Sequence, residues 1–279
     1  MKREQTFMQQ RQEMLQLNQR QSHYYERPET YHSAGGRMAA IWRKLRDTQN
    51  EVRNVIGVDE DIYNLHRKWM ADVTNKKVLD LGCYDGNPLS LELARQAKSY
   101  LGIDLSEYAI SVLQQKLQAH GLVKAEARAV DFLSAEFTEA NFDLVYAHSV
   151  AHHFRHFESF LETLAGHLNP GGQVITLDPL QTYWPAKIIR SLYRPFQPDK
   201  DWEWPFSKDT FQLIQKYFDI ERIQGTSGRL KWSVGVALFH KPTAIRLGRG
   251  WHATDLQKAS HLNQDLWNCL HVTMCWRKR

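Results

Sequence analysis

The stretch Lys77-Val78-Leu79-Asp80-Leu81-Gly82-Cys83-Tyr84-Asp85-Gly86-Asn87-Pro88 decides the fold. Its first five residues make a short apolar β run, Gly82 and Gly86 permit a tight turn, and a helix follows. Asn is a good N-cap and Pro is favoured at the first helical position, so the helix starts at Asn87-Pro88. A strand, a glycine turn and a capped helix let backbone approach a ligand closely and point helix N–H groups at it. Taken alone the turn is weakly specific, because many strand-to-helix turns need Gly only for positive φ.

Working outward, residues 100–104 read as a second strand, and Ser106 caps a helix whose Ile110, Val112, Leu113 and Leu117 face a core before Gly121 stops it. Residues 125–131, 142–147 and 173–177 read as the third, fourth and fifth strands, with a helix at Phe157, Phe160, Leu161, Leu164 and Leu168 ended by Pro170-Gly171-Gly172. Strands alternating with helices predict a doubly wound, mostly parallel α/β sheet. Asp104 closes the second strand about 20 residues past the glycine turn, where a carboxylate can accept hydrogen bonds from ribose hydroxyls. Turn and acid together suit a nucleotide-type cofactor, a dinucleotide included.

The flanks read differently. Residues 1–22 hold seven Gln and four Lys/Arg and predict an exposed helix or frayed arm that docks late or loosely. Tyr24, Tyr25 and Tyr31 lead into Gly35-Gly36; helical spacing then recurs at Met38, Ile41, Trp42 and Leu45, and again at Ile62, Leu65, Trp69 and Met70. The expected organisation is an N-terminal arm and helical cap over 1–72 and a main domain over 73–279. Within the latter, residues 180–206 mix Tyr183, Trp184, Tyr193, Phe196, Trp202, Trp204 and Phe206 with four Pro. So long an irregular stretch suits an acceptor lid, a membrane-surface element or a structural insertion. A helix at 207–217, a strand at 219–224 and a closing strand at 270–276 complete the reading.

Composition excludes other classes. The 279 residues are 42% hydrophobic and 24% charged, which rules out disorder, collagen and disulfide scaffolds. A formal charge of +5 is too mild to argue for nucleic acid. No apolar run reaches the roughly 18 residues that span a bilayer, and the N-terminus has no apolar signal core; a cytoplasmic protein is expected. Cys83, Cys269 and Cys275 carry no metal-site spacing.

Several motifs in order resemble the class I S-adenosylmethionine-dependent methyltransferases, over roughly residues 77–179. Residues 78–86 resemble the first motif, and Leu101-Gly102-Ile103-Asp104-Leu105-Ser106 resembles the second strand with its ribose-binding acid. Asp131-Phe132 resembles the adenine-binding pair, Phe142-Asp143-Leu144-Val145-Tyr146 the fourth strand, and Leu168-Asn169-Pro170-Gly171-Gly172 the turn before the fifth. Asp131-Phe132 and the Asn-Pro-Gly-Gly turn separate the pattern from nicotinamide sites. The resemblance implies a Rossmann-like methyltransferase fold and S-adenosyl-L-methionine as cofactor. It assigns Asp80 and the backbone around Gly82 and Gly86 to the methionine portion, with Cys83 packed beside it. Asp104 goes to the ribose and Asp131 to the adenine amino group with Phe132 packed nearby, and Leu105 and His148 belong to the same cofactor-binding set. One departure is Tyr84, which stands where the family usually has a second Gly.

Methyl transfer needs in-line approach of a nucleophile and, for a hydroxyl acceptor, removal of its proton. His148, His152 and His153 lie within six residues after the fourth strand, at the edge where such sheets bind ligands. Imidazole titrates near neutrality, so His152 and His153 are the candidate bases; the cluster can equally shape the pocket or cap the next helix. The expected activity is methylation of a small-molecule acceptor, lipid-like being one option, with O-methylation preferred over N- or C-methylation. RNA modification and a non-catalytic scaffold that keeps the fold are the alternatives.

Overall fold

A computed structural model describes residues 2–26, 37–196 and 200–279. Tyr31 and Gly35-Gly36 lie outside the described residues. In chain order the elements are α1 (Lys2–Tyr25), α2 (Arg37–Ile56), α3 (Val58–Met70), β1 (Lys77–Leu81), α4 (Pro88–Gln96), β2 (Ser99–Asp104) and α5 (Glu107–Ala119). They continue with β3 (Ala125–Ala129), β4 (Phe142–His148), α6 (Phe157–His167), β5 (Leu168–Pro179), α7 (Trp184–Tyr193) and α8 (Lys208–Tyr217). The last are β6 (Phe218–Thr226), α9 (Ser233–Ala237), α10 (Lys241–Lys258), α11 (Gln264–Trp267) and β7 (His271–Lys278).

The strands form one seven-stranded sheet in the order β3-β2-β1-β4-β5-β7-β6. Strand β7 runs antiparallel to β5 and β6, and the other pairs are parallel. The central strand β1 buries Val78, Leu79, Asp80 and Leu81, as a parallel strand covered on both faces must. Apolar clusters lie on the two sides of the sheet, one around Phe142, Phe160 and Trp276, the other around Tyr100, Leu113 and Tyr146. Each such fully buried side chain contributes about 1.5–3 kcal/mol. The chain reverses strand order between β1 and β4, which opens a crevice at the carboxyl ends of the strands.

The predicted caps form. Asn87 Oδ1 accepts from the N–H groups of Leu89 and Ser90 with Pro88 at the first position, and Ser106 Oγ accepts from Ala109 N–H. Three expectations need correction. Strand β3 ends at Ala129, because Asp131 turns away to cap Leu133 N–H. Strand β5 runs from Leu168 through the Asn-Pro-Gly-Gly segment, with a register shift against β4. The N-terminal helix forms and its first turns are largely exposed, but it packs one face onto the domain: Met14, Leu17, Asn18 and Gln21 are buried. These residues recur at helical spacing on one face of α1, and the amides Asn18 and Gln21 hide that face from a reading based on apolarity.

Candidate functional site

The glycine turn is folded by its own backbone. Gly82 and Cys83 N–H both donate to Ile103 O, at 2.8 and 3.1 Å. Gly82 has φ +67, and a Cβ there would meet Val150 Cγ2 at 2.5 Å, so only glycine fits. Tyr84 occupies the left-handed region at φ 47 and its N–H donates to Asp104 Oδ2 at 3.0 Å. The second oxygen of Asp104 accepts from Ser106 N–H at 3.0 Å. One carboxylate therefore ties the turn to the end of β2, and burial raises its pKa despite these donors. Tyr84 thus holds a left-handed backbone conformation of the kind glycine adopts at no steric cost.

Gly82, Tyr84, Asp104, Leu105, Asp131, Phe132, His148 and His153 line a cavity of about 240 Å³ above the turn. Its opposite wall is Asn18, Gln21 and Tyr25 from α1. Asn18 Nδ2 donates to Asp131 Oδ2 at 2.8 Å, and Leu133 N–H donates to Oδ1 at 2.8 Å. Further along the same helix Arg11 donates to Leu133 O and Ser22 to Leu105 O. Burial raises the Asp131 pKa and lowers that of His148.

Three assigned residues sit elsewhere. Asp80 is buried beneath the turn, where Tyr100 Oη donates to it at 2.7 Å and burial pushes its pKa up to about 6. Cys83 is buried in the core, its Sγ 3.0 Å from where a Cβ on Gly102 would stand. Gly86, at φ 81, faces Leu113. None of these three is among the residues lining the cavity.

A second cavity, of about 690 Å³, shares Tyr25, Ser149 and His153 with the first. Its walls include His152, Pro179, Tyr183, Ile189, Arg190, Lys231, Trp232 and His271. His152 Nδ1 lies 2.9 Å from Asp178 Oδ1, which also accepts His152 backbone N–H at 3.0 Å. Among the described residues, Asp178 Oδ2 is buried without a hydrogen-bond partner. Thr176 stands near enough to lower the Asp178 pKa, yet its Oγ1 also lacks a bond of good geometry. Burial disfavours charge on both members of the pair, pushing Asp178 up to about 7 and His152 down to about 3. The pair therefore takes up one proton near neutrality. His153 sits between the two cavities with Nδ1 2.7 Å from Trp202 O. Since a carbonyl only accepts, that nitrogen carries the proton.

The expected lid divides. Helix α7 borders the larger cavity through Pro185, Ala186, Ile189 and Arg190. Downstream, Trp204 N–H donates to His152 O and Phe206 N–H to Pro179 O, so this half is laced into the sheet edge. Sequence reasoning missed Asp178, Asn18, Gln21, Arg190, Lys231 and His271. An acid at the carboxyl end of β5, next to β4, was the available signal for Asp178.

Comparison with known proteins identifies the family to which this fold belongs. Residues 58–225, more than half of the chain, match the family described as a methyltransferase domain. The chain belongs to the class I S-adenosylmethionine-dependent methyltransferase family. This methyltransferase-family chain is 26% identical over 189 residues to the phthiotriol/phenolphthiotriol dimycocerosates methyltransferase of Mycobacterium leprae (strain TN), covering 66% of this chain and 63% of that one. It is 28% identical over 163 residues to a fatty-acid O-methyltransferase of Mycolicibacterium smegmatis, covering 57% and 53% respectively. It thus spans less than two thirds of these relatives' length. The geranyl diphosphate C-methyltransferase from Streptomyces coelicolor A3(2) shares the fold at a TM-score of 0.56, with 10% identity and 79% of each chain covered. Among the described residues no helix is long and apolar enough to cross a membrane.

Proposed function

We propose that this chain methylates a hydroxyl group on a small lipid-like acceptor held in the larger cavity, with S-adenosylmethionine in the smaller one. The observation that carries the reading is the junction. The cavity bordered by Asp104 and Asp131 meets, at Tyr25, Ser149 and His153, a cavity whose wall contains the His152–Asp178 pair.

The residues present fit the cofactor. Gly82 lines the smaller cavity with backbone alone, and Asp104 presents a carboxylate at the end of β2 for ribose hydroxyls. Asp131 and Phe132 line the far side for the adenine, while Leu105 and His148 complete the wall. When bound, the cofactor supplies an electrophilic methyl group on a sulfonium. The chain's own residues orient the acceptor and move its proton. Asp178 holds the His152 ring by Nδ1, which leaves Nε2 to take the hydroxyl proton, and the carboxylate stabilises the imidazolium so formed. His153 forms the wall common to both cavities and fixes the acceptor's approach.

The lipid-like acceptor class is supported by the cavity's apolar lining of Leu45, Ile189, Val234 and Leu270. It also accords with the printed names of the two mycobacterial relatives. The test is calorimetric titration with S-adenosylmethionine and its demethylated product, NAD serving as control, followed by turnover on hydroxylated fatty acyl acceptors. Binding and turnover are expected. Binding without turnover on any acceptor would favour the scaffold reading, and failure to bind would remove the cofactor assignment.

A further inference from the structure

We infer that the face bordering the larger cavity docks onto the surface of an anionic phospholipid membrane. Helix α7 exposes Trp184 (69%), Ile188 and Leu192 (73%) at successive helical turns, and none of the three lines the cavity. On the far side of the cavity Trp232 is exposed, and Leu238 and Phe239 (92%) follow α9. Helix α2, which contributes Leu45, Arg46 and Gln49 to the cavity, exposes Ile41. Three segments converging on one cavity therefore each present large apolar side chains to solvent. Monomeric soluble proteins rarely expose such side chains together without a binding role.

Charge selects the occupant. Residues 184–196 contain three Lys/Arg, residues 37–46 four and residues 230–241 two, with no Asp or Glu in any of them. The whole chain sets 36 Lys+Arg against 31 Asp+Glu, so cations are concentrated where the apolar residues emerge. Lys241 is paired with Glu51, Arg46 lies 3.9 Å from Asp47 just past the α2 run, Lys231 turns inward to Gly228 O and Asn268 O, and Arg190 lies in the cavity beside Glu203. This leaves Lys44 and Lys187, without an ion pair among the described residues, as the cations presented with the apolar groups. An exposed Trp with aliphatic neighbours flanked by Lys and Arg is what an anionic bilayer surface receives: rings and alkyl groups enter the headgroup boundary while the cations meet phosphate. A protein partner of matching shape would satisfy the apolar groups but gives no reason for the one-sided charge.

One consequence rests on reading the larger cavity as the acceptor site: a lipid-like acceptor would pass from bilayer to cavity without crossing water. The docking itself does not rest on that reading. It is tested by co-sedimentation of the full chain with vesicles of phosphatidylglycerol and phosphatidylcholine, or of phosphatidylcholine alone. Binding to the anionic vesicles should be at least about tenfold tighter, should weaken in high salt, and should fall at least about tenfold in the triple variant Trp184→Ser, Ile188→Ser, Leu192→Ser. The variant's far-ultraviolet dichroism, melting temperature and S-adenosylmethionine affinity should match the parent. Equal vesicle binding by variant and parent, or no binding to anionic vesicles at low salt, overturns the inference. So does concentration-dependent self-association that the same substitutions abolish, since it assigns the face to a second copy. Failure of the methyl-transfer reading would appear instead in the cofactor titration and leave vesicle binding unmoved.

Discussion

Replacing Asp178 by Asn should separate the electrostatics of the His152 pair from its geometry. Asn retains an acceptor at Oδ1 for His152 N–H and Nδ1, at the positions now 3.0 and 2.9 Å away, and its amide can donate to Thr176 Oγ1, which has no partner among the described residues. Burial lifts the Asp178 carboxyl from 3.8 to about 7. In the unfolded chain the carboxyl is ionised above its ordinary value, whereas in the folded chain it holds its proton until about pH 7. The folded state thus binds the extra proton between these limits, and stability falls as pH rises through that window. The full loss is on the order of 4 kcal/mol. Between about pH 5 and pH 8 the parent should lose roughly 3 kcal/mol that the Asn variant keeps. The burial effect on His152 is common to both chains and cancels in the difference. Urea denaturation of both proteins across this range measures it. Parallel stability curves, differing by less than about 1 kcal/mol in their pH dependence, would refute the buried, proton-holding carboxyl. Turnover should fall roughly 10²–10⁴-fold in the variant, because the imidazolium loses its counter-charge. The parent's rate should rise with pH through about 7 as the pair loses its proton.

Five further variants have defined expected outcomes. His152→Ala should lower kcat about 100-fold while leaving the calorimetric cofactor affinity nearly unchanged; His153→Ala, which removes wall from both cavities, should change both quantities. Asp104→Ala should weaken S-adenosylmethionine roughly 10–100-fold with an unaltered dichroism spectrum, and unchanged affinity would remove the ribose contact. Gly82→Ala should cost at least about 2 kcal/mol in urea denaturation, since φ +67 strains the new residue and its Cβ meets Val150. Asn18→Ala should cost α1 roughly 1.5–3 kcal/mol of docking, read as faster amide exchange along that helix alone.

What was legible in the sequence was whatever short-range chemistry specifies. Strand β1, its glycine turn and the Asn87-Pro88 helix start are all written within residues 77–88, and Ser106 and Gly121 bracket α5 in the same way. Long-range pairing was not legible. Asp178 looks like a solvated strand-end acid until the β4–β5 register sets His148 beside Leu177 and brings the following turn against it. Helix α10 gave no signal because its buried positions are Ala244, Gly248, His252 and Asp255, small or polar residues in a stripe that apolarity does not mark. Gly248 is there because a Cβ would meet Ile56 Cδ1 at 2.7 Å, and Asp255 because it accepts from Arg229 and Leu230 N–H. Helix α1 was misjudged for the same reason: Asn18 is buried because Asp131 receives it, a partner more than a hundred residues away.

The roof that α1 lays over the smaller cavity makes ligand occupancy and helix docking a single linked equilibrium. Any molecule that touches Asn18, Gln21 and Tyr25 from below tightens the helix by the same factor by which the docked helix tightens the molecule. Cutting the chain near Arg20 would therefore be slowed by saturating cofactor, and shortening the helix would weaken the cofactor correspondingly, although α1 lies outside the matched residues 58–225. The last turns of α1 thus report on whether the site below them is filled.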